Sequence, residues 1–285
     1  MKITMTNPTP QPAAKPTHTH ILQRTVRFSI NHNDLGNANP GRPESAGLGQ
    51  YYEITLAIKG QPDPHTGYLV GIQEIDALVR DHLVPIIADQ VKANPGVHPA
   101  AVLSTCWDIA SKQINHQLHA IRWHLTPYHT IEMTANTQPS NAVLIRQRFE
   151  FAAAHRLHTP AMSDEENAKF FGKCNNPSGH GHNYQIEPAI RIPVELLASR
   201  DYQLDIERAV NTTLLDHLDH KFLNIDCPWF DQSIGGLIPS IENIARVCYE
   251  QLAPQIAQIA PGIELACITA WETQKTSSIY PANAH

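Results

Sequence analysis

The sequence predicts an α+β protein made of two tandem copies of one ββααββ unit, and three observations carry that reading. Apolar periodicity gives the order strand, strand, helix, helix, strand, strand over the first half, and that order then repeats. Residues 47–58 (GLGQYYEITLAI) align under residues 179–190 (GHGHNYQIEPAI) without a gap, matching Gly, Gly, Tyr, Ile, Ala and Ile. The offset is constant, since 180 − 48 and 182 − 50 both give 132. The run ANTQPSN at the middle of the chain has linker composition, so residues 135–144 are read as the connection between the copies.

Taken in order, residues 1–22 are rich in Pro, Thr and Ala without an apolar signal-peptide core and read as a disordered tail. The first unit spans residues 23–134. Residues 24–30 (RTVRFSI) alternate like a strand, 31–46 are loop, and 51–58 form a second strand. From Ile72, the positions Ile75, Val79, His82 and Ile86 follow a helical period, which Pro85 should kink or end. A second helix follows over 100–117, then strands over 118–125 and 129–134. In the second unit, residues 145–285, Ile206, Val210, Leu214 and Leu218 mark an amphipathic helix. Ser240 is suited to cap the next helix, with Glu242 in its first turn, and residues 265–271 form a strand followed by Glu272. Pro188 cannot donate to a ladder, so its strand must lie at an edge or carry a bulge there. Arg27-Phe28 is aligned with Arg148-Phe149.

Composition narrows the class. A chain of 285 residues with 42% hydrophobic and 17% charged residues can bury a sizeable core. The net charge of −6 without a basic cluster argues against a nucleic-acid surface, and no apolar run is long enough to span a membrane. Five cysteines without framework spacing fit a reducing, cytoplasmic setting better than a disulfide scaffold. Cys106, Cys248 and Cys267 lie in apolar patterns and read as core residues, whereas Cys227 precedes a proline without an evident role.

The chemistry concentrates in SDEENAKFFGKCNNPSGHGHNY, residues 163–184. On a strand, His180 and His182 face the same side, as two imidazoles holding one metal would, with Gly181 leaving room on the other face. In a chain with 17 histidines such a pair can also arise by accident. Cys174 upstream, and His155 ending the alternating run Phe149, Phe151, Ala153, favour a metal site with three protein ligands and an open position. The first copy has Leu48 and Gln50 where the second has His180 and His182, Asp34 near the place of His155, and no cysteine matching Cys174. It is read as a partner that has lost the chemistry.

The segments FEFAAAHRL, SDEENAKFFGKCNNPSGHGHNY and LDHKFLN resemble the 6-pyruvoyl-tetrahydropterin synthase family, zinc enzymes of tetrahydropterin biosynthesis with the tunnelling fold. The resemblance covers roughly residues 145–280. It implies antiparallel sheets with helices on one face, assembling into an oligomeric barrel. It also implies Zn²⁺ on His155, His180 and His182, and 7,8-dihydroneopterin triphosphate as substrate, which loses triphosphate with an internal redox shift. Cys174 is then the base, Asp219 and His220 relay protons, and Glu272 anchors the pterin. The LDHKFLN context selects Asp219–His220 over Asp216–His217, which read as a solvated helix face. Glu242 is divided between a helix-end charge and a pocket role.

Two other readings stand beside this one. The sister activity, 6-carboxytetrahydropterin synthase of the queuosine pathway, resembles a shorter Cys-x3-His-Gly-His, whereas here five residues separate Cys174 from His180. A non-catalytic tunnelling-fold protein is the other. For assembly, a relay supplied by a neighbouring unit favours a homotrimer in which second copies form one ring and first copies another. A dimer or tetramer with alternating copies is the runner-up. Neither nucleic acid nor membrane is expected as a partner.

Overall fold

Val26, Phe28 and Ile30 alternate with polar residues, and this pattern builds the first strand, β1 (His20–Ile30), with one face in the core. The computed structural model describes residues 19–30 and 50–282. The segment expected to be loop at 31–46, together with Asp34 and Leu48, lies outside the described residues. So does the expected tail up to residue 18. His20–Leu22, however, already belong to β1, so the tail ends before residue 22.

The strands form one sheet across both halves. β1 pairs antiparallel with β2 (Gln50–Gly60), β2 with β3 (Gln117–Thr126), and β3 with β4 (His129–Thr134). β4 then pairs antiparallel with β5 (Ala142–Gln147), from His129↔Gln147 to Glu132↔Leu144. β5 and β6 (Phe149–His155) both line one side of β7 (His180–Pro193), and β9 (Glu264–Thr273) lines its other side. β10 (Thr276–Tyr280) pairs with β9. A two-residue strand, β8 (Lys221–Phe222), runs parallel to β6.

One face of this sheet is apolar and packs against α3 (Pro99–Gln113) in the first half and α9 (Ile241–Ala257) in the second. The opposite face carries Thr25, Thr55, Arg122, Glu132, Arg146 and Glu187. The architecture is α+β and antiparallel, as expected. Among the described residues no helix is long and apolar enough to cross a membrane.

The two halves correspond in detail. The β2·β3 register shifts between Ala57 and Ile58, and the β7·β9 register shifts between Ala189 and Ile190, each 132 residues later. In each half the helical segment that precedes the long helix, α3 or α9, contains a π-helical turn; in the second half α4 (Asp164–Phe171) and a short α5 (Val194–Ser199) come before it. In the first half α1 (Ile72–Ala77) leads through a π turn at Leu78–Leu83 into α2 (Val84–Ala93). In the second, α6 (Gln203–Val210) leads through Asn211–Leu215 into α7 (Asp216–Leu218). Ile75, Val79, Leu83 and Ile87 are buried, as are Ile206, Val210, Leu214 and Leu218, each 131 residues later.

Several expectations need correction. The π turn advances the buried stripe by one residue, so Leu83 and Ile87 replace His82 and Ile86 in the core. It also brings Pro85 to the start of α2, where a missing N–H is tolerated and the helix continues. Phe28 stands opposite Tyr52 and Phe151 opposite Tyr184, so Phe28 corresponds to Phe151 rather than Phe149. The connection between halves is shorter than 135–144, because β5 starts at Ala142. Pro188 lies in a central strand, beside the β9 register shift and facing the break between β5 and β6, where no ladder bond is demanded of it. The β4·β5 ladder sets the two halves side by side in one sheet.

Candidate metal and catalytic site

Pairing of β6 with β7 brings the histidines together. His155 stands directly opposite His180, and Ala153 opposite His182, so all three imidazoles share a face with the buried Tyr184. β7 can begin there because Gly179 takes a φ of +70°, and a Cβ at that position would lie 2.8 Å from the Phe222 ring and 3.1 Å from the His155 carbonyl. Gly181 is less constrained than expected: a Cβ there meets only the Ala153 carbonyl at 3.7 Å, an ordinary contact.

His155 is fully buried, and its Nδ1–H donates to the Pro239 carbonyl at 2.7 Å. Burial, reinforced by the neighbouring His180 and His182, pushes its pKa down to about 4 against the opposing Pro239 bond, so the ring is neutral at pH 7. Its Nε2 therefore carries a lone pair. That atom lies 3.1 Å from His180 Nε2 and 3.2 Å from Glu272 Oε1. The same carboxylate oxygen is 3.6 Å from His182 Nε2. Burial also lowers the His180 pKa. His180 Nδ1 and His182 Nε2 are buried without hydrogen-bond partners. One ligand atom from each of His155, His180, His182 and Glu272 falls within 4.8 Å of all the others. A lone pair facing a carboxylate oxygen, among orphaned imidazole nitrogens, is the environment a cation stabilises, and the N/O donor set suits zinc. Glu272, expected at the pterin, thus also stands at the imidazole cluster.

Cys174 sits half-buried in a short turn, Gly172–Asn175, after α4 (Asp164–Phe171). Ser163 and Glu166 form a reciprocal capping box on α4, an arrangement in which the cap alone is worth about 1 kcal/mol. The Cys174 carbonyl accepts from Leu157 N at 2.8 Å, tying the turn to the segment just after His155. Burial raises the pKa of the Tyr184 hydroxyl, and charge on Glu272 raises it further. Three asparagines that sequence reasoning passed over hold this region. Asn224 brackets the Arg156 backbone at 2.7 and 3.0 Å. Asn167 accepts from Thr159 N and donates to the Thr159, Met162 and Ser163 carbonyls. Asn175 accepts from the Arg156 guanidinium at 3.2 Å. Their signal was present, since Asn224 ends LDHKFLN and Asn167 and Asn175 flank the cysteine.

Asp219 and His220 follow α7 at the outer edge of β6. Asp219 Oδ1 accepts from Ala152 N at 2.9 Å, while Oδ2 lies 2.9 Å from His220 Nδ1. The Ala152 bond, then the His220 bond, holds the Asp219 carboxyl below its usual range. His220 has a φ of +55°, a conformation costing a non-glycine residue roughly 1–3 kcal/mol, and its side chain projects into solvent. It lines an open groove together with Ala152, Gly181, His182 and Phe222. Glu242 is exposed in the first turn of α9, whose cap is Ser240, and is not brought to the imidazoles.

The corresponding place in the first half has no imidazole or carboxylate among the described residues that line it. Gln50, equivalent to His182, accepts a hydrogen bond from the Tyr52 hydroxyl. Ile54 faces Trp123 as Ile186 faces Ala270, so Leu125 takes the place of Glu272. A small cavity there is lined by Ile87, Val91, Val102, Trp123 and Leu125.

A family model for 6-pyruvoyl tetrahydropterin synthase matches residues 144–283, the second half of the chain. The chain is 32% identical over 137 residues to the 6-pyruvoyl tetrahydrobiopterin synthase of Homo sapiens, covering 48% of this chain and 89% of that protein. It is 37% identical over 113 residues to the Drosophila melanogaster protein of that name, covering 39% and 65% respectively. The solved 6-pyruvoyl tetrahydropterin synthase of Caenorhabditis elegans superposes with a TM-score of 0.43 at 33% identity, covering 49% of this chain and 94% of that one. With nine-tenths of the human protein's length matched at that identity, the chain belongs to the 6-pyruvoyl tetrahydropterin synthase family.

Proposed function

We propose that the second half is a zinc-dependent pterin synthase converting 7,8-dihydroneopterin triphosphate to 6-pyruvoyl-tetrahydropterin with loss of triphosphate. The observation that carries this reading is the neutral His155 lone pair set against Glu272 and His180 in a pocket with orphaned imidazole nitrogens. His155, His180 and His182 would hold the metal. Bound zinc would supply a Lewis acid that acidifies a substrate hydroxyl and steadies negative charge developing beside it.

The remaining roles fall to side chains. Cys174, as thiolate, takes the carbon-bound proton of the substrate side chain. Asp219 orients His220 through Nδ1, leaving Nε2 free to carry a proton across the groove shared with His182. Glu272 completes the donor set without substrate and turns its carboxylate to the N–H edge of the amino-pyrimidine when substrate enters. Glu242 is not needed in this scheme.

The first half is a degenerate copy that supplies sheet and, among its described residues, no cluster of metal ligands, with Gln50 and Leu125 in place of His182 and Glu272. Because the halves adjoin in one sheet, assembly closes by alternating copies, and the Asp219–His220 pair serves the groove of its own copy. Product analysis by mass tests the reading: a pyruvoyl pterin with released triphosphate supports it. A carboxy pterin with acetaldehyde would assign the sister reaction instead, and no turnover by zinc-loaded protein would overturn both.

A further inference from the structure

On the helix-free face, the seam between the two halves encloses a cavity of about 230 Å³. A row of residues crosses it in register. Arg122 on β3 faces Glu132 on β4, Glu132 faces Leu144 on β5, and Leu144 faces Arg191 on β7. Arg146 stands two residues along β5 from Leu144. Arg146 and Arg191 are therefore diagonal neighbours on adjacent strands, about 7–8 Å apart at that spacing. Leu144 forms an apolar floor, and Gln23, His119 and Asn136 bring polar groups to the walls.

The charges inside do not balance. Glu132 is the one carboxylate among the lining residues, against Arg122, Arg146 and Arg191. Its strong partner is Arg122, at 2.8 Å. Arg146, with its side chain only 9% exposed, reaches the same carboxylate at 3.5 Å, and its Nε forms no hydrogen bond. A guanidinium keeps its proton under all ordinary conditions, and an incompletely paired buried charge is costly to desolvate. Arg191 makes no ion pair among the described residues. Glu264, opposite it on β9, is exposed and forms none with it.

From this geometry we propose that the seam cavity binds a phosphate group, with Arg146 and Arg191 as a two-armed clamp and Arg122 held in place by Glu132. Planar guanidinium forks match phosphate oxygens in pairs, and the surplus of two positive charges matches a dianion. The volume exceeds that of one phosphate, leaving space for an ester group over Leu144. The clamp draws on both halves, since Arg122 and Glu132 lie before the connection and Arg146 and Arg191 after it.

The test uses the full-length, zinc-loaded protein titrated calorimetrically with inorganic phosphate and, separately, glycerol 3-phosphate, against chloride at matched ionic strength. Saturable binding of phosphate, weakened at least tenfold in Arg191→Gln with unchanged circular dichroism, is the expected result. Tighter binding of the monoester would mark an ester as the ligand, and equal binding would mark free phosphate. Arg122→Gln, which releases Glu132 to neutralise Arg146, should weaken binding likewise. Phosphate indistinguishable from chloride, or equal affinity in wild type and Arg191→Gln, would overturn the site.

Discussion

His155 Nε2 lies 3.2 Å from Glu272 Oε1 while His155 Nδ1 donates its proton to the Pro239 carbonyl. Two acceptor atoms are thus held face to face in a buried pocket. Each is fixed from elsewhere: the imidazole by the turn before α9, the carboxylate by the end of β9. The fold sets up the repulsion, and a cation between the two relieves it.

The same relationship has a pH signature. With its pKa near 4 in the folded state against about 6.5 unfolded, His155 binds its proton later in the native protein. Between pH 6.5 and 4 the unfolded chain holds the extra proton, so stability of the metal-free protein falls with pH and levels off below 4. The shift corresponds to about 3 kcal/mol. Chemical denaturation of metal-free wild type and His155→Gln across this range should show a shallower slope in the variant, with His180 and other buried histidines keeping the remainder. Equal slopes would remove His155 as the source.

Cys174→Ala should lower turnover by a factor on the order of 10²–10⁴ while zinc content stays unchanged. Steady-state rates with metal analysis on the same preparations check this. A near-normal rate assigns the base elsewhere.

Gly179→Ala places a methyl group against the Phe222 ring at a positive φ, and should destabilise the protein by roughly 1–3 kcal/mol. Because that residue starts the strand bearing His180 and His182, zinc affinity should fall with stability. Unchanged melting temperature and metal content would show that the strand start tolerates a side chain.

Much of this was legible in the chain, for identifiable reasons. Period-two alternation fixes which residues share a face, so His180 with His182, and His155 on a flanking strand, could be read directly. The repeat was legible because Gly47–Ile58 and Gly179–Ile190 keep both their glycines and the residues around the register shift. The π turns were not legible: periodicity assumes 3.6 residues per turn, and one inserted residue moved the buried stripe from His82 and Ile86 to Leu83 and Ile87. Glu272 beside the imidazoles was equally hidden, because its approach depends on the β7·β9 register rather than on neighbours in sequence. Joining β4 to β5 was a further long-range choice that no local pattern announces.

With β1 and β10 at opposite ends of the chain's sheet, closure by alternating copies predicts an assembly built from two-chain rings. Light scattering on active protein should return an even number of chains. A stable, active trimer would contradict closure by two chains.

The most direct test of the central claim is zinc stoichiometry in natively purified protein and in His180→Ala. The account predicts about one zinc per chain in wild type, because among the described residues the ligand cluster lies in the second half alone, and loss of that zinc in the variant. Two zinc ions per chain, or full retention in His180→Ala, would contradict it.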